Sequence, residues 1–343
     1  MLDKNRQWVL KSRPQGMVSV DNFEYREIDV PVPDFSQGDI LVRNLYLSFD
    51  PAMRGWIEDA PSYLPPVALD EPMRAGSVGQ VMQSQNPDFP VGSLVQGMFG
   101  WQDYALANPA DMFAPRALPD GTPPSMPLSV FGGTGLTAYF GLLRIGEPQA
   151  GETVVVSGAA GATGSMVAQI AKLKDCRVIG IAGGPDKCAW LVDAAGVDAA
   201  IDYKTENVEQ RLGELCPEGI NVFFDNVGGD ILQAAITHIA QFGRIVMCGQ
   251  ISQYNNIEPQ PGPNNLMNLI KRSVKMQGFI VFDFMQDIEQ AIADLGSWVG
   301  TGKIVWKEDI QEGFDNIPAT LLRLFTGKND GKQLLKIADP ADF

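Results

Sequence analysis

The chain has 343 residues, 45% hydrophobic and 20% charged. That is the composition of an ordinary globular protein, and the length exceeds what one hydrophobic core usually serves, so two domains are expected. Its 41 acidic residues against 26 basic ones leave a formal net charge of −15, which argues against a general binder of nucleic acid or of an anionic membrane.

Residues Met1-Leu2-Asp3-Lys4-Asn5-Arg6 are not followed by an apolar signal core, and no stretch approaches about eighteen uninterrupted apolar residues. A soluble, cytoplasmic protein without a membrane partner is expected. Cys176, Cys188, Cys216 and Cys248 are widely spaced, and His238 is the only histidine. Neither a structural zinc cluster nor a His-rich metal site is assembled from that set, and buried thiols in a reducing compartment are expected.

Residues 1–125 read as short strands broken by turn residues: Trp8-Val9-Leu10, Phe23 to Ile28, Ile40 to Leu47 and Ser77 to Met82, with Pro31, Pro33, Gly38 and Pro90 between them. The segment from Pro61 to Pro72 is too proline-rich for helix or central strand and reads as an ordered loop or lid. From Leu128 to Leu143 the pattern is helical but interrupted by Gly132-Gly133 and Gly135, so one helix is expected to end and another to begin near Thr134 or Leu136.

Over residues 126–302 apolar strands alternate with helices, as a parallel sheet with crossover helices requires. Six strands are expected: Thr153 to Ser157, Arg177 to Ala182, Ala199 to Asp202, Asn221 to Asp225, Gly243 to Cys248 and Val274 to Val281. Helices are expected from Thr163, Pro185, Glu206, Asp230, Asn264 and Asp287. This is an α/β chain with a doubly wound parallel sheet. Residues 303–343 read as strand, helix, strand, and their two strands can return to the amino-terminal β module and complete it.

The centre of the second region is Val154-Val155-Val156-Ser157-Gly158-Ala159-Ala160-Gly161-Ala162-Thr163-Gly164, a β-branched run that meets glycines and opens a helix. Glycines let a diphosphate approach without meeting a Cβ, and the helix start supplies unpaired N–H donors. Ala160 stands where G-x-G-x-x-G has its second glycine, so the turn alone fits either a nucleotide site or a tight strand-to-helix connection. The six-strand context favours the nucleotide. The second strand ends Ala182-Gly183-Gly184 without the acid that an NAD-selective site places there, and Lys187, Tyr203 and Lys204 follow. NADP(H) is therefore expected, with Gly183, Lys187 and Tyr203 at its 2′-phosphate end. The tails after strands four and five, Asn226 to Gly229 and Cys248 to Asn255, lie beyond the carboxyl ends of a parallel sheet, where ligands bind.

Together, Phe49-Asp50-Pro51-Ala52-Met53-Arg54-Gly55, Glu71-Pro72-Met73-Arg74, Ala159 to Gly164, Phe224 to Gly229, Cys248 to Asn255 and Gly331-Lys332 make the chain resemble the zinc-free medium-chain dehydrogenase/reductases. Within them it resembles the leukotriene B4 dehydrogenase, prostaglandin reductase and 2-alkenal (double-bond) reductase family. The resemblance implies a GroES-like β domain beside a Rossmann domain, a cofactor cleft between them, NADPH dependence, no metal and a homodimer. It implies cofactor contacts at Gly161, Ala162, Thr163, Gly164, Lys187, Tyr203, Asn226, Cys248, Gly249, Gln250, Ile251, Ser252, Tyr254, Phe279, Val281, Phe282 and Asn329. Ala52 replaces the tyrosine of the D-P-Y-M-R form of that motif, and Lys271 or a neighbour stands at the position of a second substrate-side tyrosine.

The expected reaction is NADPH-dependent reduction of the C=C bond of an enone or enal, with Tyr254 as a candidate donor to the enolate oxygen and equally a wall of the cofactor site. Tyr63, Phe282, Asp50 and Arg54 are expected on the substrate side, with Asp50 and Arg54 as a buried ion pair and Trp56 beside them. A quinone reductase and a non-catalytic NADPH-binding protein are the alternatives.

Overall fold

A computed structural model describes residues 4–342; Met1–Asp3 and Phe343, part of the expected first domain, lie outside the described residues. The chain forms two compact units: one runs from the start of the described chain to Ser129 and resumes at Glu308, and the other is Val130–Lys307.

In the first unit β1 (Lys4–Leu10) pairs antiparallel with β2 (Phe23–Asp29). The buried face of β1 carries polar residues, and they are satisfied: Asn5 Nδ2 donates to the Tyr104 carbonyl at 2.9 Å and Asn5 Oδ1 accepts from the Tyr104 N–H at 2.9 Å. There follow β3 (Ile40–Ser48), α1 (Met53–Trp56), β4 (Ser77–Gln83), β5 (Leu94–Gly97), β6 (Tyr104–Ala107) and β7 (Arg116–Ala117). β3 and β4 are buried along most of their length, as the central strands of this sheet. The proline segment has no regular structure and is tied back by the Val67 N–H to the Trp56 carbonyl at 2.8 Å.

In the second unit α2 (Gly133–Phe140) runs into a π-helical stretch, Gly141–Gly146. Strands and helices then alternate: β8 (Thr153–Ser157), α3 (Ala162–Leu173), β9 (Arg177–Ala182), α4 (Pro185–Asp193), β10 (Ala199–Asp202), α5 (Val208–Leu215), β11 (Ile220–Asp225), α6 (Gly229–Thr237), β12 (Ile239–Met247), α7 (Met267–Lys271), β13 (Lys275–Gly278) and α8 (Ile288–Gly300). The six strands form one parallel sheet in the order β10-β9-β8-β11-β12-β13. This is a doubly wound sheet whose order reverses between β8 and β11, and such a switch point opens a crevice at the strands' carboxyl ends. Val154, Val155 and Val156 of β8 are fully buried, because helices cover both faces of a parallel sheet. Burying such side chains contributes about 1.5–3 kcal/mol each.

The chain then returns to the first unit as β14 (Glu308–Glu312), α9 (Ile317–Phe325) and β15 (Lys332–Lys336). β15 pairs parallel with β14 and antiparallel with β3, giving the order β14-β15-β3-β4-β5-β7, with β6 also on β3. The core of this unit joins Leu10, Phe23, Phe49, Trp101, Ile317, Leu321 and Leu335.

Candidate active site

The switch point is held by a small polar network. Ser157, the last residue of β8, donates its hydroxyl to Asp225 Oδ1 at 2.7 Å and accepts the Asn226 N–H at 2.8 Å. Asn226 Nδ2 donates to the Ser157 carbonyl at 2.7 Å. Asp225 also accepts the N–H groups of Val227 and Gly228, each at 3.0 Å. Burial pushes the Asp225 carboxyl up, against the hydrogen bonds from Gly228, Ser157 and Val227.

Beside this network the glycine turn opens α3. Gly158 has φ +59°, Gly161 caps the helix in extended conformation, and Ala162, Thr163 and Gly164 form its first turn, where backbone N–H groups have no partner within the helix. A Cβ on Gly164 would lie 2.3 Å from the Gly158 carbonyl oxygen, so the turn packs strand against helix as a dinucleotide turn must.

At the end of β9, Gly183 lies under the Tyr203 ring: a Cβ there would come within 2.8 Å of it. Lys187 is half-buried in α4, and Asp186 is exposed in its first turn. Asp202, at the end of β10, is turned inward and accepts from the Gly184 N–H at 2.8 Å, the Lys204 N–H at 3.1 Å and the Thr205 hydroxyl at 3.2 Å. The Gly184 N–H in particular holds its carboxyl below the ordinary range. The carboxylate at the strand ends is thus engaged by the protein, and Gly183, Lys187 and Tyr203 stand beside it. Sequence reading missed the role of Asp202, although its place at the end of a strand was legible.

The tails of β11 and β12 are stitched together. The N–H groups of Cys248 and Gly249 donate to the Asp225 carbonyl at 2.9 and 3.0 Å, that of Ile251 to Asn226 at 3.3 Å and that of Ser252 to Val227 at 3.2 Å. Tyr254 folds back so that its hydroxyl accepts the Gln250 N–H at 3.1 Å. Burial raises the Cys248 thiol to about 12, so it stays protonated and is a poor nucleophile. After β13, Phe279 packs edge-on against Phe224 at 6.5 Å and tilted against Phe284 at 6.3 Å, while Val281 and Phe282 begin a 3-10 segment with Phe282 partly exposed. The structure brings the expected cofactor residues of this unit together at the carboxyl ends of its sheet.

In the first unit the expected pairing is corrected. Asp50 pairs with Lys332, Oδ1 to Nζ 2.5 Å, and accepts the Ser48 hydroxyl at 2.7 Å. Arg54, buried, pairs with Glu58 at 2.8 Å and donates to the Gly16 carbonyl at 3.1 Å. Glu58 is the fourth residue after Arg54, the spacing helical pairs favour. Tyr63 accepts the Trp56 indole N–H at 2.9 Å. Asn329 Nδ2 donates to the Gly331 carbonyl at 3.1 Å, just before β15.

Among the described residues no group of three or more His, Cys, Asp or Glu is placed to hold a metal ion, and no helix is long and apolar enough to cross a membrane. Residues 6–114 match a family model described as the N-terminal domain of oxidoreductase, and residues 162–297 match one described as zinc-binding dehydrogenase. The chain is 41% identical to the NADPH-dependent curcumin reductase of Escherichia coli (strain K12), over 98% of this chain and 97% of that protein. The chain belongs to the medium-chain dehydrogenase/reductase family. This reductase is also 36% identical to the 2-alkenal reductase (NADP(+)-dependent) of Nicotiana tabacum, over 97% and 98% of the two chains. Among solved structures it is similar to that of CurA in complex with NADPH from Vibrio vulnificus, 42% identical with a TM-score of 0.92, over 98% of this chain and all of that one. The fold is therefore the GroES-like unit plus Rossmann unit of this family.

Proposed function

We propose that this chain reduces the carbon–carbon double bond of α,β-unsaturated ketones and aldehydes with NADPH. The observation that carries the reading is its relatedness, over nearly its whole length, to enzymes named curcumin reductase and 2-alkenal reductase. The chain is an NADP(H)-dependent oxidoreductase acting on a small molecule, and Gly183, Lys187 and Tyr203 are the residues proposed to meet the 2′-phosphate. Gly161 to Gly164 would hold the diphosphate, Asn226 a ribose, and the segments Cys248 to Ser252, Tyr254 and Phe279 to Phe282 the nicotinamide half.

When bound, NADPH would supply a hydride to the β-carbon of the substrate, leaving negative charge on the substrate's carbonyl oxygen until a proton from a tyrosine or water reaches the α-carbon. The chain's task is then to place hydrogen-bond donors around that oxygen and to exclude water. Tyr254 is a candidate donor in the second unit; in the first, Tyr63 is a candidate on the substrate side, with Asp50 and Arg54 in the turn before it. Incubation with NADPH and a panel of an enone, an enal and a benzoquinone, followed at the NADPH absorbance and by product analysis, tests the reading. Saturated carbonyl products support it; turnover confined to the quinone overturns it.

A homodimer is part of the same proposal. β13 is the outer strand of its sheet, and Met276 on it, with Met267, Ile270 and Phe242 nearby in sequence or in pairing, is exposed. Exposed apolar side chains around an outer strand are suited to a second copy meeting them about a two-fold axis. Met276→Lys together with Ile270→Lys should lower the light-scattering mass from twice to once the chain mass; an unchanged mass would remove this interface.

A further inference from the structure

Three residues of the first unit form a relay that ends on a phenol. Trp56 closes α1, and its ring is half-buried against the unit's core. The Arg74 guanidinium carbon stands 5.9 Å over the centroid of that ring, within the range of a cation–π contact. Arg74 Nη1 also donates to the Pro65 carbonyl at 3.0 Å. The Trp56 carbonyl receives the Val67 N–H at 2.8 Å. The proline loop is thus fastened at Pro65 and Val67, on the carboxyl side of Tyr63, by the same two residues that stack on one another. The Trp56 indole N–H then donates to Tyr63 Oη at 2.9 Å.

An indole N–H only donates, so Tyr63 is the acceptor in this bond and its own proton is directed away from Trp56. A phenol oxygen that accepts a hydrogen bond becomes a stronger donor, because such bonds polarise one another. Burial pushes the Tyr63 phenol up, the Trp56 N–H works against it, and the Arg74 charge offsets the opposite push of Asp50. Those are the properties wanted of a group that faces an oxygen on which negative charge develops.

We propose that Trp56 and Arg74 are positioning residues which orient and polarise the Tyr63 hydroxyl toward the substrate's carbonyl oxygen. The inference rests on the reading of Tyr63 as a substrate-side donor in enone reduction. Arg74 acts through the Trp56 ring, and Trp56 through its N–H, so neither is a catalytic residue. The glutamate-proline-methionine-arginine motif at Glu71 to Arg74 thereby gains a role that fold alone does not require.

The test is a double-mutant cycle on a neutral enone, with kcat and KM for the enone measured separately and melting temperatures alongside. Trp56→Phe keeps an aromatic ring and removes the N–H, and should lower kcat/KM by about two- to tenfold, as the loss of one neutral hydrogen bond does. In the Tyr63→Phe background the same substitution should have no further effect. Arg74→Met, at a half-exposed site, should follow the same pattern if Trp56→Phe folds poorly. An equal loss in both backgrounds, or no loss while Tyr63→Phe is impaired, overturns the relay and leaves the role of Tyr63 standing. Full activity of Tyr63→Phe removes the substrate-side reading of Tyr63 and the relay with it.

Discussion

Asp50 and Lys332 stand 282 positions apart and meet as an ion pair, Oδ1 to Nζ 2.5 Å. Lys332 is only 3% exposed and also donates to the Phe49 carbonyl at 3.1 Å. The pair fastens the returning strand β15, and the Asn329 to Gly331 approach to it, onto the turn that leads into α1. Removing one partner of a buried pair leaves an uncompensated charge. Lys332→Met leaves a carboxylate that is partly solvated and still bonded to Ser48, so its expected cost in chemical denaturation is about 3 kcal/mol, at the low end for such losses. Asp50→Ala strands the ammonium and should cost about 5 kcal/mol. The reverse order would show that the lysine does not depend on Asp50.

The Asp225 network at the switch point carries a pH signature. Burial raises the carboxyl's pKa in the folded chain, so the native state holds its proton more tightly than the unfolded one. The contribution of this group to stability therefore falls as pH rises from the ordinary aspartate value of about 3.9. Asp225→Asn does not ionise there. Wild-type stability minus that of Asp225→Asn, from urea unfolding, should decrease as pH rises above about 4. A difference that grows with pH there contradicts the assignment of burial as the dominant influence.

Two glycines of the cofactor turns should fail in different ways. In Gly164→Ala the new methyl meets backbone, 2.3 Å from the Gly158 oxygen and 2.8 Å from the Ala159 Cα, which cannot give without moving β8 from α3. A loss of about 1–3 kcal/mol is expected. In Gly183→Ala the atoms the methyl meets first belong to the Tyr203 side chain, which is exposed and can swing. Stability should change by about 0.5 kcal/mol or less, while KM for NADPH rises. Equal stability losses in the two variants would refute this division.

Lys187→Ala should raise KM for NADPH about tenfold or more and leave KM for NADH nearly as it is, since a charge-assisted hydrogen bond contributes about 1.5–3 kcal/mol. An unchanged ratio of the two would place the 2′-phosphate elsewhere. Tyr254→Phe separates two roles for that residue: a fall in kcat marks a donor to the substrate, and a rise in KM for NADPH alone marks a wall of the cofactor site.

Sequence patterns foretold the parallel sheet better than the rest because buried parallel strands are continuous apolar runs. Thr153 to Ser157, Arg177 to Ala182 and Ala199 to Asp202 begin and end where those runs do. β12 starts earlier, at Ile239, because Phe242, at φ +59°, and Gly243 break an extended pattern that the backbone pairing nonetheless carries through. β1 extends back from Trp8-Val9-Leu10 over Asn5 and Gln7, polar residues outside the apolar run, with Asn5 satisfied by the Tyr104 backbone. β5, β6 and β7 are too short to show a period, and the π-helical stretch after α2 has no sequence signal of its own. At the site, the glycine turn and the two strand tails were legible because their chemistry is local. The Asp50–Lys332 pair and the inward turn of Asp202 were not, since each depends on which segments fold against which.

The proposed reaction delivers hydride to the β-carbon rather than to the carbonyl carbon. NADPH deuterated at the transferable position, incubated with the enzyme and an aliphatic enone, should yield the saturated ketone with deuterium on the β-carbon by mass spectrometry and NMR. Deuterium on the former carbonyl carbon, in an allylic alcohol, would contradict the account.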